Sequence, residues 1–282
     1  MNRKRIALRI AKDKGFKATV IVLSFLSIAP LFLILFYILR NGFSAISWEF
    51  VTELPRPVGE EGGGIANAIV GSFLLVCVAS LPAIPIGITA GVYLSENQKG
   101  KLPYLLRLAV EVLQGTPSIV IGIIAYLWLV IAMGGFSAVS GGIALGIMML
   151  PVIVRTTEET LRLIPDTLKE ASLALGVPYY RTIVKVVIPA GLSGITTGIL
   201  ISVARIAGET APLLFTAFGN PFMNVNIIKP VNALPLLIYN YATSPYPEWH
   251  RIAWGASCIL VGLVLLLNLV ARIIVGRWKV QF

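Results

Sequence analysis

Apolar residues in this chain come in long unbroken runs, and the charged residues are gathered between them. Residues 18–39 and 252–271 carry no charged side chain. A helix needs about 20 residues to cross a hydrocarbon core, so each run predicts one span. Residues 62–95 form a longer run and predict a second span. Residues 112–154 are too many for one crossing; Gly134-Gly135 divides them, with Gly141-Gly142 soon after, and predicts a hairpin of two helices. A fifth span is predicted from about residue 188 to 218, interrupted by Arg205 and Glu209. Six spans define an all-α integral membrane protein, because helices satisfy their backbone hydrogen bonds internally where water is absent.

Composition agrees. With 57% hydrophobic and 13% charged residues, the chain departs from soluble globular proteins. The first apolar run is longer than a signal-peptide core and lacks a small-x-small site close behind it, so it reads as a permanent helix. Residues 1–17 form a basic arm ahead of it, suited to setting topology and touching anionic membrane lipid. Lys99, Lys101 and Arg107 flank the turn after span two; Arg155, Arg162, Lys169, Arg181 and Lys185 lie between spans four and five; Arg272, Arg277 and Lys279 follow span six. The opposite side has only Arg40, Arg56, Lys229 and Arg251. Positive residues stay inside, which places both termini in the cytoplasm of a multi-pass inner-membrane protein. Topology accounts for the net charge of +10, and no nucleic acid is needed to explain it.

Cys77 and Cys258 fall inside spans and read as small hydrophobes. Two sulfurs and the lone His250 make no credible metal site. Trp48, Trp249 and Trp254 suit an outer aromatic belt, and Trp278 an inner one. The outer loop 40–61 is long enough for a short surface helix. Pro82 and Pro85 predict bending in span two. Gln114-Gly115-Thr116-Pro117-Ser118 reads either as a broken helix facing protein or water, or as a packing kink.

Two places carry chemistry. Between spans four and five, residues 156–187 predict two short helical stretches. Pro165-Asp166 starts the second, Gly176-Val177-Pro178 ends it, and Glu170, Leu173 and Ala174 share a face. Inside span five, Arg205 and Glu209 are four apart and therefore expected on one helical face. An arginine at the bilayer centre costs about 3 kcal/mol on insertion scales, so it should face a partner, a cavity or a substrate. An internal ion pair and a cationic lining for an anion route are compatible readings. Arg155 and Glu158 repeat the arrangement at the inner end of span four. If spans four and five pack together, two guanidinium groups converge on one path, and their planar forks suit oxyanions.

Glu170-Ala171-Ser172 with Gly176 and the close Val186-Val187-Ile188-Pro189 resembles the EAA loop of ABC-importer permeases. Together with Gly115-Thr116-Pro117-Ser118 and Ala204-Arg205-Ile206-Ala207-Gly208-Glu209-Thr210-Ala211-Pro212, the chain resembles the PstA-type permeases of bacterial phosphate importers. Ser172 stands where the wider superfamily prefers alanine. The resemblance implies a type I ABC importer permease fold over residues 18–282 with cytoplasmic coupling helices. It assigns Arg205, Glu209, Arg155 and Glu158 to phosphate transport, and Glu170, Ala171, Ser172 and Gly176 to docking on ATPase subunits. It further implies a related permease subunit (PstC-type), two ATP-binding subunits (PstB-type) and an external phosphate-binding protein (PstS-type). No Walker loop occurs, so ATP and Mg belong on the partner subunits. Permeation of sulfate, molybdate or phosphonate, or a scaffold role, stand as rivals.

Overall fold

The structure, a computed structural model, describes residues 3–60 and 62–277. Trp278 and Lys279, given roles above, lie outside the described residues. Helix α1 spans Arg3–Gly42, and the basic arm is continuous with it rather than a separate element. A short α2 (Trp48–Thr52), capped by the Ser47 hydroxyl accepting from Phe50 N, occupies the loop before α3 (Ala66–Glu96). Pro82 and Pro85 both lie within the single helix α3.

The next span is a broken pair. Helix α4 (Lys101–Gly115) meets α5 (Ser118–Met133) at 104°. Pro117 has no amide hydrogen to donate and disfavours helix at Thr116, so the chain turns there. Residues 112–115, read above as the start of span three, therefore lie on α4, before the bend. Gly134 then takes the left-handed conformation (φ 72°), ending α5 where the double glycine predicts a hairpin. Helix α6 (Ala138–Arg162) starts behind Ser137, whose hydroxyl accepts from Ser140 N.

A short helix α7 (Asp166–Ala174) follows. Helices α8 (Tyr179–Ala190) and α9 (Leu192–Ala207) meet at 67° to form the fifth span. Beyond it come α10 (Ala211–Thr216), α11 (Leu234–Ala242) and α12 (Pro247–Arg277). Among the described residues, four helices are long and apolar enough to cross a membrane, and the two bent pairs make up to six spans.

Helices α3 and α6 form the central pair, packed close through small residues. A Cβ on Gly91 would stand 2.5 Å from Thr157 Cβ, and one on Gly87 2.7 Å from Ile153. Leu75, Ala79, Leu145, Met149 and Ile153 fill this seam, joined by Ile206 and Leu213. Such packing is what associates helices where lipid is as apolar as their side chains. Helix α9 lies against α6 and α12. Cys77 faces outward from α3 rather than packing within the protein, whereas Cys258 is buried.

The segment after α10 folds back onto the bundle. Asn67 Nδ2 donates to Asn220 O (2.7 Å) and Pro221 O (3.0 Å), and Leu234 N donates to Ser72 Oγ (2.8 Å). Leu234, Leu236 and Leu237 are buried beneath it. Trp249 stacks on Tyr241 (4.4 Å), and the His250 ring bonds Ser244 O (2.6 Å). Helix α1, by contrast, has no buried residue in its apolar window.

Candidate functional site

The α7 end of the bundle holds most of the predicted residues. Helix α7 begins behind Pro165 with Asp166 in its first turn, where a carboxylate favours the positive helix end. It stops at Gly176, whose φ of +77° places it in the left-handed region. Gly176 N donates to Leu173 O (2.9 Å) and Val177 N to Ser172 O (3.4 Å), the paired bonds of a Schellman close.

Glu170, Ala171, Leu173 and Ala174 are exposed. Ser172 is buried instead, its hydroxyl hydrogen-bonded to Thr182 Oγ1 at 2.9 Å. It braces α7 against α8, so of the residues expected to dock, Ser172 turns inward and Gly176 shapes the end. Leu163 and Leu175, which flank α7 in the chain, are both 83% exposed.

The charged residues of α6 pair differently from their spacing. Arg155 does not meet Glu158; its Nε donates to Glu159 Oε1 (3.1 Å) and its Nη1 stands 4.0 Å from Glu111. The i+4 carboxylate wins over the i+3 one. Glu158 is buried and lies between two other arginines, Arg107 of α4 (Nε, 2.9 Å) and Arg162 (Nη2, 2.7 Å). Arg107 also donates to Leu94 O (2.9 Å), Asn97 O (3.1 Å) and Gln98 O (3.1 Å), closing the C-terminal end of α3 with a cation. A cavity of about 110 Å³ lies among Arg107, Glu111, Arg155, Glu158, Glu159 and Arg162. Its three arginines face three glutamates, so the cluster is balanced. Arg205 does not line it, and the two guanidinium groups expected to converge there stay apart.

Packing gives the separation. Gly198 of α9 faces Thr156 of α6 so closely that any Cβ would collide with the threonine hydroxyl. Arg205 lies seven residues beyond Gly198, about 10 Å along the axis. From Thr156 to the start of α6 is about 27 Å at the same rise, so Arg205 sits deep in the bundle.

Helix α9 ends at Ala207, and Glu209 falls in the non-helical turn before α10. The shared helical face expected of the pair is thus replaced by a side chain reaching back across a helix end. Arg205 Nε is 3.8 Å from Glu209 Oε1, longer than a hydrogen bond. The arginine side chain is 46% exposed, against 10% for Glu158.

Sequence reasoning missed Arg107, Glu111, Glu159 and Arg162 as members of one cluster. It also missed a link at α7: Lys169 Nζ contacts Glu96 Oε1 at 2.7 Å, and Tyr179 OH donates to Glu96 Oε2. The available signal was Glu96 itself, the first charged residue after the long run of span two.

Comparison with known proteins gives the family. The sequence profile of the binding-protein-dependent transport system inner membrane component matches residues 83–280, and the chain belongs to that family. Its relatives within it include phosphate transport system permease proteins PstA. That of Yersinia pestis is 43% identical over 247 residues, covering 87% of this chain and 84% of its own. PstA 1 of Mycobacterium tuberculosis (strain CDC 1551 / Oshkosh) is 38% identical over 279 residues, covering 96% and 90%. The probable PstA of Methanocaldococcus jannaschii is 37% identical over 263 residues, covering 93% of each. Among solved structures, the bacterial alginate ABC transporter solved with an alginate-bound periplasmic protein aligns at a TM-score of 0.67 and 14% identity, over 97% of this chain and 98% of that one. The inward-facing MetNI methionine ABC transporter aligns at 0.62 and 21%, over 77% and 94%. The fold is that of an ABC importer permease.

Proposed function

We propose that this chain is the permease subunit of an ATP-driven importer that moves inorganic phosphate into the cytoplasm. The carrying observation is Arg205, a half-exposed guanidinium deep in the bundle whose one ionic neighbour among the described residues stands beyond hydrogen-bond distance. An arginine at that depth with uncommitted donors is costly in lipid and suits a tetrahedral oxyanion. The kinship with PstA permeases supports phosphate as that anion.

Glu209 keeps the guanidinium oriented without occupying its fork. Arg155, half-exposed at the α7 end, lies about 10 Å further along the same helix pair and serves the cytoplasmic exit. Both termini are cytoplasmic, as the lysine and arginine bias supports. Glu170 and Ala171 on the exposed face of α7 meet an ATPase subunit, with Gly176 setting the helix end and Ser172 bracing it. ATP and Mg are bound and hydrolysed on two PstB-type subunits. A PstC-type permease completes the pathway, and a PstS-type protein delivers phosphate from outside. Nucleotide and phosphate each favour one of two states, and that difference drives the cycle.

Uptake of labelled phosphate by cells carrying Arg205→Gln tests the reading. Losing a charged hydrogen-bond partner worth about 2–3 kcal/mol predicts a fall of roughly 100-fold with membrane levels unchanged. Wild-type uptake would assign Arg205 to packing.

A further inference from the structure

The C-terminal end of α3 is held from two sides by charged groups that belong to different parts of the machinery. On one side, the carboxylate of Glu96 takes Lys169 of α7 on one oxygen and the hydroxyl of Tyr179, the first residue of α8, on the other. Both partners of the ion pair are largely buried, with side-chain exposures of 12% for Glu96 and 17% for Lys169. On the other side, the Arg107 guanidinium collects the carbonyls of Leu94, Asn97 and Gln98 and passes its Nε to Glu158 of α6. Glu158 sits in the turn of α6 that also carries Arg155 and Glu159.

Two sets of charge-assisted hydrogen bonds, joined through the backbone at the end of α3, therefore connect α7 to the charged turn of α6. Such bonds are short, directional and stronger than neutral ones. Helix α7 reaches α6 through the chain only by the turn of Leu163, Ile164 and Pro165. The link through α3 is made by side chains that the proposed transport reading leaves without a task.

We infer that Glu96 and Arg107 are positioning residues that transmit displacement of α7 to α6. A partner that shifts α7 pulls Lys169 and Tyr179, and with them Glu96. Because Arg107 grips the same chain end by three carbonyls, Glu158 moves with it. Glu158 thus serves the pathway by holding α6 to α3, not by touching the anion. This inference rests on the reading of α7 as the ATPase-docking helix.

The test uses the assembled importer in proteoliposomes, with phosphate uptake and ATP hydrolysis measured together. Glu96→Gln keeps the side chain's size and removes its charge. The expected result is normal co-purification of the ATPase subunits, retained hydrolysis, and a fall of at least about tenfold in phosphate moved per ATP, since a tenfold change corresponds to about 1.4 kcal/mol, the order of one charge-assisted bond. Exchanging the charges, Glu96→Lys with Lys169→Glu, restores much of the ratio. Arg107→Lys lowers the ratio as well, because an ammonium cannot hold three carbonyls and a carboxylate at once. Combined with Glu96→Gln it adds little, as two breaks in one path are not additive. An unchanged ratio in the assembled Glu96→Gln and Arg107→Lys complexes overturns the inference, as does full additivity of the two. If Glu96→Gln fails to insert, Arg107→Lys and Tyr179→Phe carry the same readout. Failure of the docking reading shows elsewhere: Glu170→Lys would then co-purify with the ATPase subunits as well as the unaltered chain does.

Discussion

Two charged sites in this molecule contain the same residue types and are built in opposite ways. Glu158 has arginine nitrogens at 2.7 Å and 2.9 Å and is almost wholly enclosed. Arg205 has one carboxylate at 3.8 Å and is half open. The first arrangement commits all three guanidinium nitrogens of Arg107 to fixed partners. The second leaves donors to spare. The difference separates a group that fastens the bundle from one that keeps donors to spare, although both are arginine–glutamate sites.

Substitutions can break or sharpen that contrast. The largest effect is expected for Glu158→Gln, which leaves Arg107 and Arg162 facing each other without a countercharge. Removing one partner of a buried ion pair costs about 3 kcal/mol or more. Thermal unfolding of the purified protein checks it, and an unshifted midpoint would show that the site is not a fastening. Next comes Arg205→Lys, which keeps the positive charge and loses the fork. Uptake is expected to fall about tenfold, less than for glutamine, with the unfolding temperature unmoved. Equal uptake by lysine and arginine would reduce the site to simple charge.

Smaller again is Ser172→Ala, where the lost hydroxyl bond to Thr182 costs about 1 kcal/mol and loosens α7. Faster proteolysis of the α7 segment reports it. The smallest effect on stability is expected from Glu209→Gln, under about 1 kcal/mol for so loose a pair. A destabilisation matching that of Glu158→Gln would erase the distinction between the two sites.

What the sequence made legible was local. The spans followed from charge-free runs, the hairpin from Gly134, and α7 from Pro165-Asp166 and Gly176, because each depends on neighbours along the chain. The pairings were not legible. Arg155 and Glu158 invited each other by spacing, yet Glu159 lay one residue further and Arg107 arrived from 51 residues away. Lys169 and Glu96, 73 apart, meet only because α7 folds under α3. The ending of α9 at Ala207 was also hidden, since a single Gly208 within an apolar run does not by itself announce a stop. The segment from α10 to α11 escaped because its buried leucines are too few to register as a span.

The right-angled elbow at Thr116-Pro117 has a mechanical corollary. With α4 clamped at Arg107, any tilt of that crosspiece becomes a sideways sweep of the upright beyond it. The sixteen residues of α5 make an arm about 24 Å long, so a rocking of about 5° carries its tip roughly 2 Å. A rocking of the crosspiece would thereby be carried to the far end of the upright.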